Sequence, residues 1–170
     1  MSEQKLVLTI ETIPQQSFGI SLANLLPKPV WDTIRREVYA KAHYTCEICG
    51  AMDVQLHCHE VWSYTSKKPY IQKLQELVCL CRMCHAIKHW WNTVARVHEG
   101  KEPTIYLEEL TEHFCIVNHC DRDQFNLHKV VAGAISAERN KRNYRIDWGA
   151  FDPKRVEQVW LKHQGKSTRT

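Results

Sequence analysis

The stretch Leu80-Cys81-Arg82-Met83-Cys84-His85-Ala86-Ile87-Lys88-His89 decides how this chain is read. It joins a Cys-x-x-Cys pair directly to two histidines four residues apart. Upstream lies a second pair, Cys46-Glu47-Ile48-Cys49, and between the two pairs lies Leu56-His57-Cys58-His59-Glu60. Two close-spaced thiolate pairs suit the tetrahedral, soft-ligand shell of a structural zinc. Cys46, Cys49, Cys81 and Cys84 are therefore expected to share one ion. Histidines at i and i+4 share a helix face, so His85 and His89 can close on a second ion. The chain offers ligands for one metal that holds the fold and another that does chemistry.

Working outward, Gly50 closes the first knuckle, and Val54–Trp62 reads as a strand. Its alternation puts Val54, Leu56, Cys58, Glu60 and Trp62 on one side and His57, His59 and Val61 on the other. A polar loop, Ser63–Pro69, carries Lys67 and Lys68; Ile71–Leu80 is apolar-periodic and leads into the second knuckle. A helix is expected over about 85–98, ended by Gly100 and Pro103. Upstream, Lys5–Thr12 is rich in Leu, Val, Ile and Thr and reads as a strand. Residues 13–30, punctuated by Pro14, Pro27 and Pro29, read as irregular. A helix with Ile34, Val38 and Ala42 on one stripe is expected over 31–42. Downstream, helices are expected over 104–118 and 121–143, the second with a basic exit at Arg139, Lys141, Arg142 and Arg145. Trp148 and Phe151 should fold back, and 161–170 reads as a frayed tail. The fold class is α+β, in three blocks: an N-terminal strand and irregular segment (1–30), a zinc-stabilised domain (31–100) and a helical extension (101–170).

At 170 residues, the chain has about the length of one domain. Its 44% hydrophobic and 25% charged content are ordinary for a soluble globular protein, and six tryptophans supply core material. A net charge of +4 permits a nucleic-acid partner without demanding one. Met1-Ser2-Glu3-Gln4-Lys5 lacks the start of a secretory signal, and no apolar run approaches the roughly 18 residues of a membrane span. The expectation is a cytoplasmic protein without a membrane partner, in which eight cysteines point to metal before disulfides. Cys115 and Cys120 read as small buried hydrophobes, and Trp62, Trp90 and Trp91 as packing residues. His113, His119 and His128 read as surface.

The order knuckle, histidine-bearing strand, loop, knuckle, histidine-bearing helix resembles the HNH endonuclease family over about residues 31–90. The residues that carry the resemblance are Cys46–Cys49, Cys58-His59-Glu60-Val61-Trp62 and the Leu80–His89 stretch. The resemblance implies a ββα-metal finger core and a metal-dependent nuclease that hydrolyses phosphodiester bonds, with DNA favoured over RNA. It makes His59 the general base, His85 and His89 the helix ligands of the catalytic metal, and Cys58 the ligand at the first doublet position. The catalytic metal would be Mg, Mn, Ni or Zn. A neutral imidazole can take a proton from water at working pH, and a divalent cation can stabilise charge on a scissile phosphate. Lys67, Lys68, Arg82 and Lys88 are candidate contacts to the nucleic-acid backbone. Double-strand cleavage would usually need two active sites, as in a homodimer.

The chain departs from that pattern at two places. The doublet holds Cys58 where Asp or His is usual; a thiolate would favour zinc, and His57 could substitute. Gln75 and Glu76 stand where the family has an Asn, and Glu76 could hydrogen-bond an imidazole. The alternative reading is a catalytically inactive zinc-finger module that binds nucleic acid or a protein partner.

Overall fold

A computed structural model describes residues 5–167. Its centre is an antiparallel hairpin of β1 (Leu56–Tyr64) and β2 (Ile71–Cys81), with His57 opposite Leu80 and His59 opposite Val78. A short β3 (Arg145–Asp147) runs parallel to the start of β2, so the sheet order is β1-β2-β3 and β1 lies at an edge. Among the described residues seven α-helices surround it: α1 (Leu22–Leu25), α2 (Lys28–Lys41), α3 (Arg82–Lys88), α4 (Trp90–His98), α5 (Ile105–Asn118), α6 (Arg122–Asn140) and α7 (Pro153–Ser167). The α+β class read from the sequence is the observed one.

Because strand side chains alternate, the hairpin can serve two cores. Val78 and Leu80 join the first, with Leu8, Ile10, Cys84, Ile87, Trp90, Leu110, Phe114 and Phe125. Trp62, Leu74 and Leu77 join the second, with Leu22, Leu26, Val30, Trp148 and Trp160. Trp148 does fold back, its ring edge-on to Trp62 at 5.2 Å. Residues from all three sequence blocks meet in the first core.

The strand expected over Lys5–Thr12 does not form. The segment is extended, but its backbone groups are taken by side chains instead of a neighbouring strand. Val7 and Leu8 N–H donate to Asn118 Oδ1 (2.8 and 2.9 Å), and Asn118 Nδ2 donates back to Leu8 O. Ile10 N–H donates to His128 Nε2 at 2.9 Å, and Glu11 N–H to Lys88 O at 3.0 Å. Backbone satisfaction is met without a ladder.

The expected start of α2 at 31 moves back to Lys28, because Pro29 sits in the first turn, where its missing N–H costs nothing. The single helix expected over 85–98 is broken at His89 (φ −100°, ψ 38°) into α3 and α4. Thr93 Oγ1 donates to Ala86 O at 2.9 Å, satisfying a carbonyl near the break. α6 begins with a reciprocal cap between Asp121 and Gln124. Instead of a frayed tail, α7 runs to Ser167; residues 168–170, like 1–4 at the start of the stretch read for a leader, lie outside the described residues. Among the described residues, no helix is long and apolar enough to cross a membrane.

Candidate functional site

The two knuckles meet where the chain leads into and out of the hairpin. Gly50 (φ 74°) lets the first one turn back, with Gly50 N–H donating to Cys46 O and Cys46 N–H to Ala51 O, both at 2.9 Å. In the second, Cys81 ends β2 and caps α3, its Sγ accepting from Cys84 N–H. Together they bring the sulfurs of Cys46, Cys49, Cys81 and Cys84 within 4.8 Å of one another, near enough to hold one metal ion. A tetrahedral zinc with bonds of about 2.3 Å would set sulfurs about 3.8 Å apart; Cys49 and Cys81 Sγ stand at 3.6 Å. Hydrogen bonds from the Cys81 and Cys84 thiols pull the Cys46 thiol far below its ordinary range, and the same sharing pushes Cys84 up. Cys46 is thus the cysteine favoured as thiolate, while burial pushes Cys49 up to about 11.

His113, read as surface, is part of this cluster's surroundings: its Nε2 lies 3.2 Å from Cys84 Sγ. His128, read the same way, is half-buried, bonded to Ile10 N–H and stacked on Phe114.

Immediately after Cys84, α3 carries His85 and, just past its end, His89. Both turn toward β1, where alternation presents His57 and His59 on the same side. The ligand nitrogens of His59, His85 and His89 lie within 4.8 Å of one another. Ring centroids are 5.4 Å apart for His59–His85, 4.9 Å for His59–His89 and 4.7 Å for His85–His89. His57 stacks on His85 at 4.7 Å, with rings 13° from parallel. Burial, then the neighbouring imidazoles, holds His85 down at about 2 and His89 at about 4, and burial also lowers His57. These rings stay neutral and keep a lone pair for a cation. Two buried ring nitrogens, His59 Nδ1 and His57 Nε2, have no hydrogen-bond partner among the described residues. A buried polar atom with no partner is costly, and an ion or a polar ligand in the cluster would relieve both. The donor set therefore fits a divalent cation.

The histidines form part of the lining of a cleft of about 950 Å³, with Phe18 and Trp91 among its other walls. Trp91, expected to pack, is instead 46% exposed, and Phe18 is 67% exposed.

Cys58 does not join His85 and His89. It points to the opposite face of β1, across from Cys79, where burial and then Glu60 and Cys79 raise its thiol to about 12. A thiol held that firmly in its neutral form is a poor ligand. The next residue on that face, Glu60, accepts from Leu22 N–H at 2.6 Å and anchors α1.

A carboxylate does support His59, but it is Glu11 and not Glu76, which is exposed on β2. Glu11 Oε2 lies 2.9 Å from His59 Nε2, and Lys88 Nζ donates to Glu11 Oε1 at 2.9 Å and to Thr9 Oγ1 at 3.2 Å. Burial works to raise the Glu11 carboxyl, yet His59 and Lys88 together outweigh it and hold it at about 2.

The expected phosphate contacts divide. Lys88 is buried at 8% exposure and committed to Glu11, so it faces no solvent-borne phosphate. Arg82 is half-exposed but bound to Glu102 at 2.7 Å and laid over Tyr106. Lys67 and Lys68 are exposed on the hairpin loop, beyond the end of β1 at Tyr64, which alone runs about 16 Å past His59 at about 3.3 Å per residue. In the basic exit of α6, Arg139 is turned inward, bonded to Thr12 and stacked on Tyr64. Replacing Lys88 with Met should cost about 3 kcal/mol, the low end for breaking a buried ion pair. Denaturant unfolding measures it; weaker DNA binding at unchanged stability would restore the phosphate role.

Comparison with protein-family models, curated proteins and solved structures gave no match.

Proposed function

We propose that this chain is a metal-dependent endonuclease of the HNH kind, hydrolysing phosphodiester bonds of DNA, built on a ββα-metal core with a zinc on its four cysteines. One observation carries the reading: three imidazoles, one from β1, one from α3 and one from the break just after α3, converge within 4.8 Å on one wall of an open cleft. Three ligands leave a metal centre open, whereas structural centres close with four. His59, His85 and His89 would hold the ion. When bound, a divalent cation would stabilise charge on the scissile phosphate and on the departing oxygen.

The role of base passes from His59 to His57 in this reading. The Nε2 of His59 is engaged by Glu11, which leaves only its Nδ1 for the cluster. His57 lines the cleft, and its buried Nε2, without a partner among the described residues, would take the proton from a water drawn in beside the ion. Trp91 and Phe18 offer apolar faces on which a nucleobase could stack.

The test is supercoiled plasmid incubated in turn with Mg²⁺, Mn²⁺, Ni²⁺ and Zn²⁺. Nicked circles are expected with at least one of them. If neither DNA nor RNA is cut with any, the enzyme reading falls. Among the described residues the cation lining the cleft is Arg35, paired with Asp32 at 2.8 Å, and this favours the second reading, a zinc-bearing binding module. That module would bind nucleic acid or protein without cleaving it.

A further inference from the structure

We propose that Glu11, delivered by the N-terminal segment 5–14, is the positioning residue that locks His59 with its proton on Nε2 and its bare Nδ1 toward His85 and His89. This rests on the histidine ion site proposed above. The geometry fixes the direction of the bond. A carboxylate whose other oxygen already accepts from the Lys88 ammonium can only accept from the imidazole, so Nε2 is the donor. Only one nitrogen of a neutral ring carries a proton, and the remaining one, Nδ1, is buried without a partner.

The carboxylate is itself held from several sides. Its backbone N–H donates to Lys88 O at 3.0 Å, so Glu11 is tied to α3 by both main chain and side chain. The preceding residues are clipped to α5 and α6 by Asn118 and His128. Segment, helix and strand thus converge on one ring. A ligating imidazole whose far N–H meets a carboxylate has a fixed orientation and greater basicity, and loss of such a partner typically weakens metal affinity about 10–100-fold. Lys88 gives the arrangement its second half, because its ammonium keeps this half-buried carboxylate ionised and so an acceptor.

The experiment compares the full chain with Glu11→Ala and Glu11→Gln, each carrying its cysteine-bound zinc. Long-range ¹⁵N–¹H spectra read the tautomer of His59, and Co²⁺ titration, followed by its visible absorption, reads the affinity of the histidine site. The unaltered chain should carry the His59 proton on Nε2. Glu11→Ala should lose that preference and bind Co²⁺ about 10–100-fold more weakly. Glu11→Gln, nearly isosteric and still able to accept through its amide oxygen, should keep the tautomer and lose less affinity. The proposal is overturned if His59 in the unaltered chain is protonated on Nδ1, or if Glu11→Gln is well folded by amide spectra and shows the Nδ1 tautomer. It is also overturned if Glu11→Ala matches the unaltered chain in tautomer and affinity. An unaltered chain that takes no Co²⁺ at the histidines sinks the endonuclease reading instead, while the tautomer still decides the role of Glu11.

Discussion

Replacing His59 with alanine is expected to remove both the proposed histidine-bound ion and the proposed nuclease activity, whereas His57→Ala should remove activity alone. His59 is 2% exposed and stands within ligand reach of His85 and His89. Removing one of three ligands leaves two imidazoles, which hold a divalent ion poorly. Metal analysis should show about one equivalent lost, with the cysteine-bound ion retained, and plasmid nicking should drop below detection. His57 lies outside the close group of three, stacked against His85. His57→Ala should therefore keep full metal content while cleavage falls about 10²–10⁴-fold, the usual worth of a general base. The opposite pattern is equally readable. Full metal content with dead activity in His59→Ala would return the base to His59, as the family resemblance implies.

The two assignments differ because strand alternation and family analogy pull apart at Leu56–Glu60. Period-two geometry already placed His57 and His59 on one side and Cys58 on the other. The resemblance, carried over position by position, put Cys58 among the ligands. In the structure Cys58 faces Cys79 and α2's side of the sheet, as alternation required. The cysteine knuckles were legible because their ligand spacing is a local property. The i,i+4 relation of His85 and His89 was legible for the same reason, although the helix breaks at the second of them.

Other parts of the site were less readable. Glu11 stands 48 residues from His59, in a stretch whose composition reads as a strand, and nothing local marks it as a partner. A lone acid among Leu8, Ile10 and Thr12 was its only signal. His113 and His128 could have been found from helical periodicity. His113 sits three residues after Leu110 and four before Val117, and His128 three after Phe125 and four before Ala132, on stripes that pack into the first core. Lys88 illustrates the reverse error: a cation in a motif reads as surface until the acid it pairs with, here Glu11, is found beside it.

Loss of the metal proposed for the four cysteines should have the largest effect on the fold. Structural zinc contributes about 10–16 kcal/mol in small finger peptides, and a whole domain is stable by about 5–15 kcal/mol. The two scales are comparable, so removing the ion leaves little net stability. The hydrophobic core around Phe114 and Phe125 remains, but the hairpin end and the start of α3 keep only the Glu47–Cys79 hydrogen bonds to the first knuckle. A strong chelator should abolish the cooperative melt, with helical signal lost as zinc appears in solution. Cys84→Ser tests the same point without a chelator. Cys84 is fully buried, and losing a metal ligand belongs among changes of about 4–5 kcal/mol or more. Cys79→Ser is the control, since Cys79 is equally buried but outside the cluster. It should cost about 1–3 kcal/mol, the penalty of burying a hydroxyl without a good partner, and should leave the zinc in place. Equal losses in the two variants, or a Cys84→Ser protein that melts like the unaltered chain, would mean that packing and not metal holds the knuckles together.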